Sequence, residues 1–492
     1  MRFSDLSLAV LSCASTTLAA RNQTKPSAYG QWMATSFLSK NQVIRHTYVP
    51  AVTLEGIQRV ATVNNNEDLL EYARSSVSSL VSANGTVTGY NDTYYTLDDI
   101  RMGNNILHWW AAGGRNETKY EIAAHRYRDQ LNRWPRTPEG GFWHRAPTYA
   151  NQMWLDGIYM ADTFYATYTS YFDADNVTAW QDIELQFDLI EEHTRNHSTN
   201  LLYHGYDETK KAVWADPETG ASPYVWDRAV GWYFVALVEV LQVYPQSLPG
   251  YAKLASYFST LAEGIKNVQD VSGGWWLLMD PELAGKEGNY IESSATALFT
   301  YAFFKGVRTG LLEKEYLPVA NKAFGLMLDD FIIYEKNGTL SWNGTVEVGS
   351  LKGDASYEYY TTVPLSLNDG KGAGPFMYAA SEYNLALKNE TTVAHLDHAP
   401  EKKIGQPASE TAKLHAEIAE LKAALKAERE SKTYKRLQDQ IHALREEIKD
   451  MREDKNFIGD HLASSVLSIM VQLDFQRRID KGLVVLAEHL NA

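Results

Sequence analysis

Residues 226–243 read WDRAVGWYFVALVEVLQV, and from residue 228 onward the apolar side chains recur with the period of a helix. The same spacing returns along the chain and predicts further helices over 67–81, 120–133, 152–172, 177–193, 251–268, 291–309, 315–331 and 375–387. Loops rich in Gly, Pro, Asn and Asp separate them, as at 137–141, 216–223 and 270–274. Strand-like alternation is scarce, and 339–348 is the best hairpin candidate. A long series of helix pairs suggests an α-solenoid or an α/α toroid. No short repeat period is visible, which disfavours the solenoid.

The composition changes near residue 393. Of the last 100 residues 33 are charged, against 74 of the first 392. That shift separates a domain at 21–392 from a linker at 393–411, which carries Pro400 and Pro407, and a helical segment at 412–492. Leu414, Ile418, Leu421 and Leu425 follow the 4-3-4 spacing of a coiled-coil seam. Leu437, Ile441, Leu444, Ile448 and Met451 resume it after a phase break. Self-association through 412–451 is one expectation; a segment foreign to the rest of the chain is the other, and the absence of sequons in it favours that second reading. At the other end, Arg2 and the short apolar run ending Leu18-Ala19-Ala20 read as a secretory signal over 1–20. The only cysteine, Cys13, lies inside it. Nine Asn-x-Ser/Thr triplets start at Asn22, Asn84, Asn91, Asn116, Asn176, Asn196, Asn337, Asn343 and Asn389, as expected of a secreted, extracellular glycoprotein. A net charge of −15 argues against nucleic acid and anionic membranes as partners, and requires a local cation for any anionic substrate.

Four clusters can carry chemistry. In the first, Gly140-Gly141-Phe142-Trp143-His144-Arg145 is followed by Met153-Trp154-Leu155-Asp156-Gly157. Asp156 reads either as an ordinary charge at a helix N-terminus or as a carboxyl on an aromatic floor, its pKa raised by desolvation. The second holds His204, which is structural or catalytic. In the third, Trp226, Arg228 and Trp232 offer a guanidinium fork and two ring faces, or else an Arg–Trp packing pair. The fourth is Asp98-Asp99, a carboxylate pair ahead of a helix, in which either residue can serve as an N-cap. No metal-ligand spacing and no phosphate-binding glycine loop is visible, so neither metal nor cofactor is expected.

Together these clusters resemble glycoside hydrolase family 105, the unsaturated rhamnogalacturonyl hydrolases. The resemblance rests on 139–157, 226–232, 292–310 (ESSATALFTYAFFKGVRTG) and 368–382 (NDGKGAGPFMYAASE), and runs from about residue 50 to 390. It implies an all-α, six-hairpin (α/α)6 toroid. It also implies Asp156 as general acid and base, Asp98 rather than Asp99 as the second cleft carboxylate, and His144 and His204 at the substrate and the reacting water. Trp154, Trp226, Arg228 and Trp232 would line the sugar site. Arg145, where relatives often carry Lys, would meet the uronate. The implied substrate is an unsaturated pectic oligosaccharide left by a lyase, and the implied reaction is hydration of its C4=C5 bond, with no metal. Three alternatives stay open: a family 88-like glucuronyl hydrolase, an inverting glycosidase pairing Asp98 with Asp156, and a non-catalytic carbohydrate-binding protein.

Overall fold

The computed structural model describes residues 25–40 and 44–396. The signal at 1–20, Asn22, the linker beyond residue 396 and the coiled coil at 412–492, with its self-association, lie outside the described residues.

Twelve principal helices are described. In chain order they are α1 (Tyr29–Ser39), α2 (Tyr48–Asn64), α3 (Glu67–Leu80), α4 (Met102–Ala112), α5 (Thr118–Asn132), α6 (Thr163–Phe172), α7 (Val177–Thr194), α8 (Asp227–Val240), α9 (Pro249–Asn267), α10 (Ser293–Arg308), α11 (Leu317–Leu326) and α12 (Gly370–Leu396). The even-numbered α2, α4, α6, α8, α10 and α12 alternate with α1, α3, α5, α7, α9 and α11. The first set forms a closed ring, each member packed on the next and α12 returning to α2; α3, α5, α7, α9 and α11 pack on its outside, as does α1 against α2 and α12. This is the expected six-hairpin toroid. Burial explains the division. All but one of the 14 residues of α8 are buried, so the helix is covered all round, as an inner helix must be. Helix α9 buries one face only, through Leu254, Phe258, Leu261 and Ile265, as an outer helix does.

The inner helices begin at one end of the ring, and short antiparallel strand pairs stitch their entrances together. Tyr95–Thr96 pairs with Arg145–Ala146, and Gln152–Trp154 with Gly205–Asp207. Asp98, Asp156 and Asp227 each stand in the first turn after such a stitch, and Glu292 caps α10 by accepting from Ala295 N at 2.9 Å. Negative charge at a helix N-terminus is favoured by the helix dipole.

Three local expectations change. The helix expected over 152–172 starts at Leu155, because 152–154 are spent in a strand pair, and it passes through a π-helical turn at Ile158–Asp162. The segment 339–348 does not fold on itself. Leu340–Trp342 pairs with Ile332–Tyr334, and Thr345–Val346 with Leu365–Ser366. The last helix is longer than 375–387: Gly370–Leu396 runs four residues into the stretch read as linker.

Candidate active site

The stitches bring four distant segments to one point. Leu97 N donates to His144 O at 3.1 Å, His144 N to Gln152 O at 2.8 Å, Leu155 N to His204 O at 3.0 Å, and His204 N to Tyr224 O at 3.2 Å. His144, Asp156, His204 and Trp226 therefore converge although 82 positions separate the first from the last.

Asp156 Oδ2 and His204 Nε2 stand 3.2 Å apart and have no other hydrogen-bond partner among the described residues. The other ring nitrogen, Nδ1, lies 2.7 Å from the hydroxyl of Tyr360. A carboxylate only accepts, so Nε2 carries the proton toward Asp156, while the tyrosine hydroxyl can accept or donate at Nδ1. Rings surround the pair. His144 stacks on Trp154 at 4.2 Å, Trp154 meets His204 edge-on at 5.6 Å, and His204 packs on Trp226 at 4.7 Å. Tyr149 closes on Trp154 at 4.5 Å. The Asp156 side chain is 14% exposed while His204 is fully buried, so the carboxyl is the member of the pair that reaches the opening.

The aromatic floor does not raise Asp156, so the second of its two sequence readings does not hold for the pKa. Burial does act upward, but the hydrogen bond and charge of His204, with His144 beyond it, outweigh it and hold the carboxyl below its ordinary value. His144 is pushed down by burial, against the pull of Asp98 and Asp156.

Asp98 and Asp99 part company. Asp98 Oδ2 accepts from Arg145 Nη2 at 2.8 Å, and its charge is felt by His144 and Tyr48. Asp99 instead acts on Tyr90 and Tyr127, away from that group. Burial first, and then the charge of Asp98, push Asp99 up to about 7 against Arg145. Its pKa is raised on folding, so between about pH 4 and 7 the unfolded chain has lost a proton that the folded chain keeps. Stability should fall as pH rises through that window, by less than ~1.4 kcal/mol per unit because the carboxyl keeps some solvent. Asp99→Asn should flatten the urea midpoint between pH 4 and 7; an unchanged slope would show that Asp99 is not its source.

Two predicted site residues face inward. Arg228 is 1% exposed. Its Nη1 donates to Val346 O at 2.7 Å and to Ser294 Oγ at 3.2 Å, its Nη2 to Glu347 O at 2.8 Å, and the guanidinium lies 4.7 Å from the Trp226 ring centre. The packing-pair reading of Arg228 is the one this geometry favours, because the fork is already engaged. Trp232 is 1% exposed and stacks on Tyr159 at 4.6 Å in the ring interior, away from the His144–Trp154–His204–Trp226 series. Arg145, with 29% of its side chain exposed, is the more open cation.

Sequence reasoning missed Tyr48, Tyr360 and the Asp369–Lys371 pair. Tyr48, at the start of α2, is pushed up by burial and feels Asp98, Arg228, Asp369 and Asp156 at once, which sets it among them. Lys371 Nζ donates to Asp369 Oδ2 at 2.6 Å at the start of α12. The stretch 368–382 had signalled the region without giving these residues a part. Tyr360 had no local signal, since its partner lies 156 residues away.

A six-hairpin toroid whose ringed opening holds a carboxylate–histidine pair on stacked aromatics defines a class of glycoside hydrolase. Comparison with known proteins narrows this. The chain matches the model of Glycosyl Hydrolase Family 88 over residues 23–387. A family 105 glycoside hydrolase from C. acetobutylicum ATCC 824 superposes with a TM-score of 0.69 at 33% identity, over 73% of this chain and 99% of that one. Protein Atu3128 of Agrobacterium fabrum is 36% identical over 214 residues, 40% of this chain and 91% of its own. The unsaturated rhamnogalacturonyl hydrolase YesR of Bacillus subtilis is 24% identical over 287 residues, 57% of this chain and 74% of its own. The chain belongs to glycosyl hydrolase family 88 and its family 105 relatives, the unsaturated uronyl hydrolases.

Proposed function

We propose that this protein removes a terminal 4,5-unsaturated galacturonic acid from lyase-generated rhamnogalacturonan or pectin fragments, by hydrating the C4=C5 bond. The observation that carries the mechanism is the Asp156–His204 pair, in which Oδ2 and Nε2 face each other at 3.2 Å and neither atom meets another hydrogen-bond partner among the described residues. In the free enzyme the histidine holds the Asp156 carboxyl below its ordinary value, so the carboxylate form is favoured. An anionic uronate that enters and expels water disfavours separated charge, so a proton moves from His204 to Asp156. Asp156 passes it to C4 and leaves oxocarbenium character at C5. The ionised carboxylate then takes a proton from the water that attacks C5. The hemiketal opens, and C1 releases the neighbouring sugar. Asp98, His144, Trp154 and Trp226 shape the cleft. The choice of galacturonide rests on the likeness to family 105 and to the relative named for rhamnogalacturonan.

The test follows the absorbance of the conjugated double bond on unsaturated rhamnogalacturonan disaccharide, with unsaturated glucuronyl disaccharide and saturated galacturonide beside it. Turnover of the first alone supports the reading. Preference for the glucuronide moves the protein to the other substrate class, and hydrolysis of saturated sugar defeats the mechanism.

Arg145 is the proposed partner of the substrate carboxylate, although it is shared with Asp98. Charge-assisted contacts are worth roughly 1.5–3 kcal/mol. Arg145→Met should therefore raise KM for the acid by roughly tenfold or more and leave its methyl ester little changed; equal effects on both would remove Arg145 from this part.

Secretion and glycosylation belong to the same proposal. The signal-like run at 1–20 supports them, as does the surface position of Asn84, Asn91, Asn116 and Asn337. A mobility shift on deglycosylation of the secreted protein tests both.

A further inference from the structure

Beside the cleft, two further carboxyls are fully buried together. Asp227, in the first turn of α8, and Glu292, the cap of α10, are each 0% exposed. Glu292 is fully provided for: Oε1 accepts from Val346 N at 3.0 Å, Oε2 from Ala295 N at 2.9 Å, and the Ser294 hydroxyl donates to the same carboxylate. Asp227 is half provided for. Its Oδ1 accepts from Arg228 N at 2.7 Å, while Oδ2 meets no donor among the described residues. The Asp227 side chain is within hydrogen-bonding reach of that of Glu292, and Oδ2 is the oxygen left without a donor. Two acceptors cannot bond without a hydrogen between them. Arg228, 3.6 Å from Glu292, supplies one positive charge for the two carboxyls. The neighbouring Lys371 is already matched by Asp369, and Tyr290 and Tyr48 are the remaining titratable groups facing this cluster.

We propose that Asp227 and Glu292 share one proton, carried on Asp227 Oδ2, and that this neutral assembly with Arg228 positions the cleft. Burial first, and then the charge of Glu292, raise the Asp227 carboxyl well above its ordinary range against Arg228. Glu292 and Ser294 orient the Arg228 guanidinium, which holds the 346–347 backbone and lies over Trp226. Trp226 packs on His204, and His204 faces Asp156. Asp227 is thus a positioning residue. Loss of its proton places two negative charges against one guanidinium in a dry interior, which drives the carboxylates apart, draws the arginine away from the 346–347 carbonyls and sets the alkaline limit of activity. The part about activity rests on the reaction proposed above; the shared proton does not.

The experiment is infrared difference spectroscopy on the full chain. At neutral pH, wild type minus Asp227→Asn should contain the carbonyl stretch of one protonated carboxylic acid, other buried acids cancelling. Glu292→Gln removes the like charge but not the burial, so the same band should shift in frequency and titrate at lower pH. In wild type alone, raising pH should remove the band and kcat/KM together, and Asp227→Asn should turn over substrate beyond that pH. No band in the difference spectrum, or a band unchanged in both frequency and titration in Glu292→Gln, overturns the shared proton. A band that titrates without any change in kcat/KM overturns only the positioning role. Failure to process any unsaturated uronide leaves the spectroscopic result standing and refutes the reaction instead.

Discussion

Asp156→Asn is expected to lower turnover of the unsaturated disaccharide by ~10²–10⁴-fold, the range for a lost acid–base group. The amide is nearly isosteric and can still face His204 Nε2 through its oxygen, so the stitched entrance should stand and KM should change little. What disappears is the one group that reaches the opening and can exchange a proton with a buried histidine. The same residue fixes an isotope pattern. In deuterated water the wild-type product should carry deuterium at C4, read early, before the new carbonyl enolises. Hydrolysis at the anomeric centre adds nothing to C4. Product without deuterium there, or a variant with more than a tenth of wild-type turnover, would falsify the assignment and return the site to the two-carboxylate scheme with Asp98.

Glu239→Gln is expected to cost about 3–5 kcal/mol of stability, the range for stranding a buried charge. Glu239 stands in the last turn of α8, at the end of the ring away from the cleft. Its Oε1 receives Lys305 Nζ at 2.8 Å and the Tyr301 hydroxyl, and its Oε2 lies 3.2 Å from Arg59 Nη2. Arg59 also pairs with Glu55, which binds Arg101. Gln keeps the shape and removes the charge from between two cations. These cations outweigh burial and hold Glu239 well below the ordinary glutamate value. Its contribution is therefore present above about pH 4.5 and is lost as pH falls. The urea midpoint at pH 7 should drop sharply in the variant, and its further loss on acidification should be shallower than in wild type. A midpoint within about 0.5 kcal/mol of wild type would show that Glu55 and solvent suffice to compensate.

The helices with a clear period were legible because the period itself reports burial, as in 226–243. Inner helices α2 and α4 were not singled out. The first carries Pro50 and Gly56 and the second Asn104 and Asn105, residues that blur propensity and are tolerated here through ring packing. His144, Asp156, His204 and Trp226 could be named together because each sits in a local aromatic motif. Their electrostatics could not be read. Whether Asp156 goes up or down turns on His204, which reaches it through a strand pair between 152–154 and 205–207, and such pairing leaves no trace in local spacing. For the same reason Arg228 stayed open between a substrate fork and a packing pair: its carbonyl partners lie 118 and 119 residues onward.

The closure of the ring by α12 on α2 also orders events in time. Tyr378 donates to Val52 O at 3.0 Å across 326 residues, and Asn384 Nδ2 reaches Ser27 O at 2.9 Å across 357. The other inner helices can dock on a neighbour already made, but α2 must wait with one apolar flank bare until almost the whole domain has left the ribosome. A chain stopped after α11 holds every residue of the Asp156–His204 pair and yet lacks the wall that completes their ring. A product ended before the last helix is therefore expected to be an open arc with an apolar flank bare and no turnover, and activity to arrive only when α12 closes the ring.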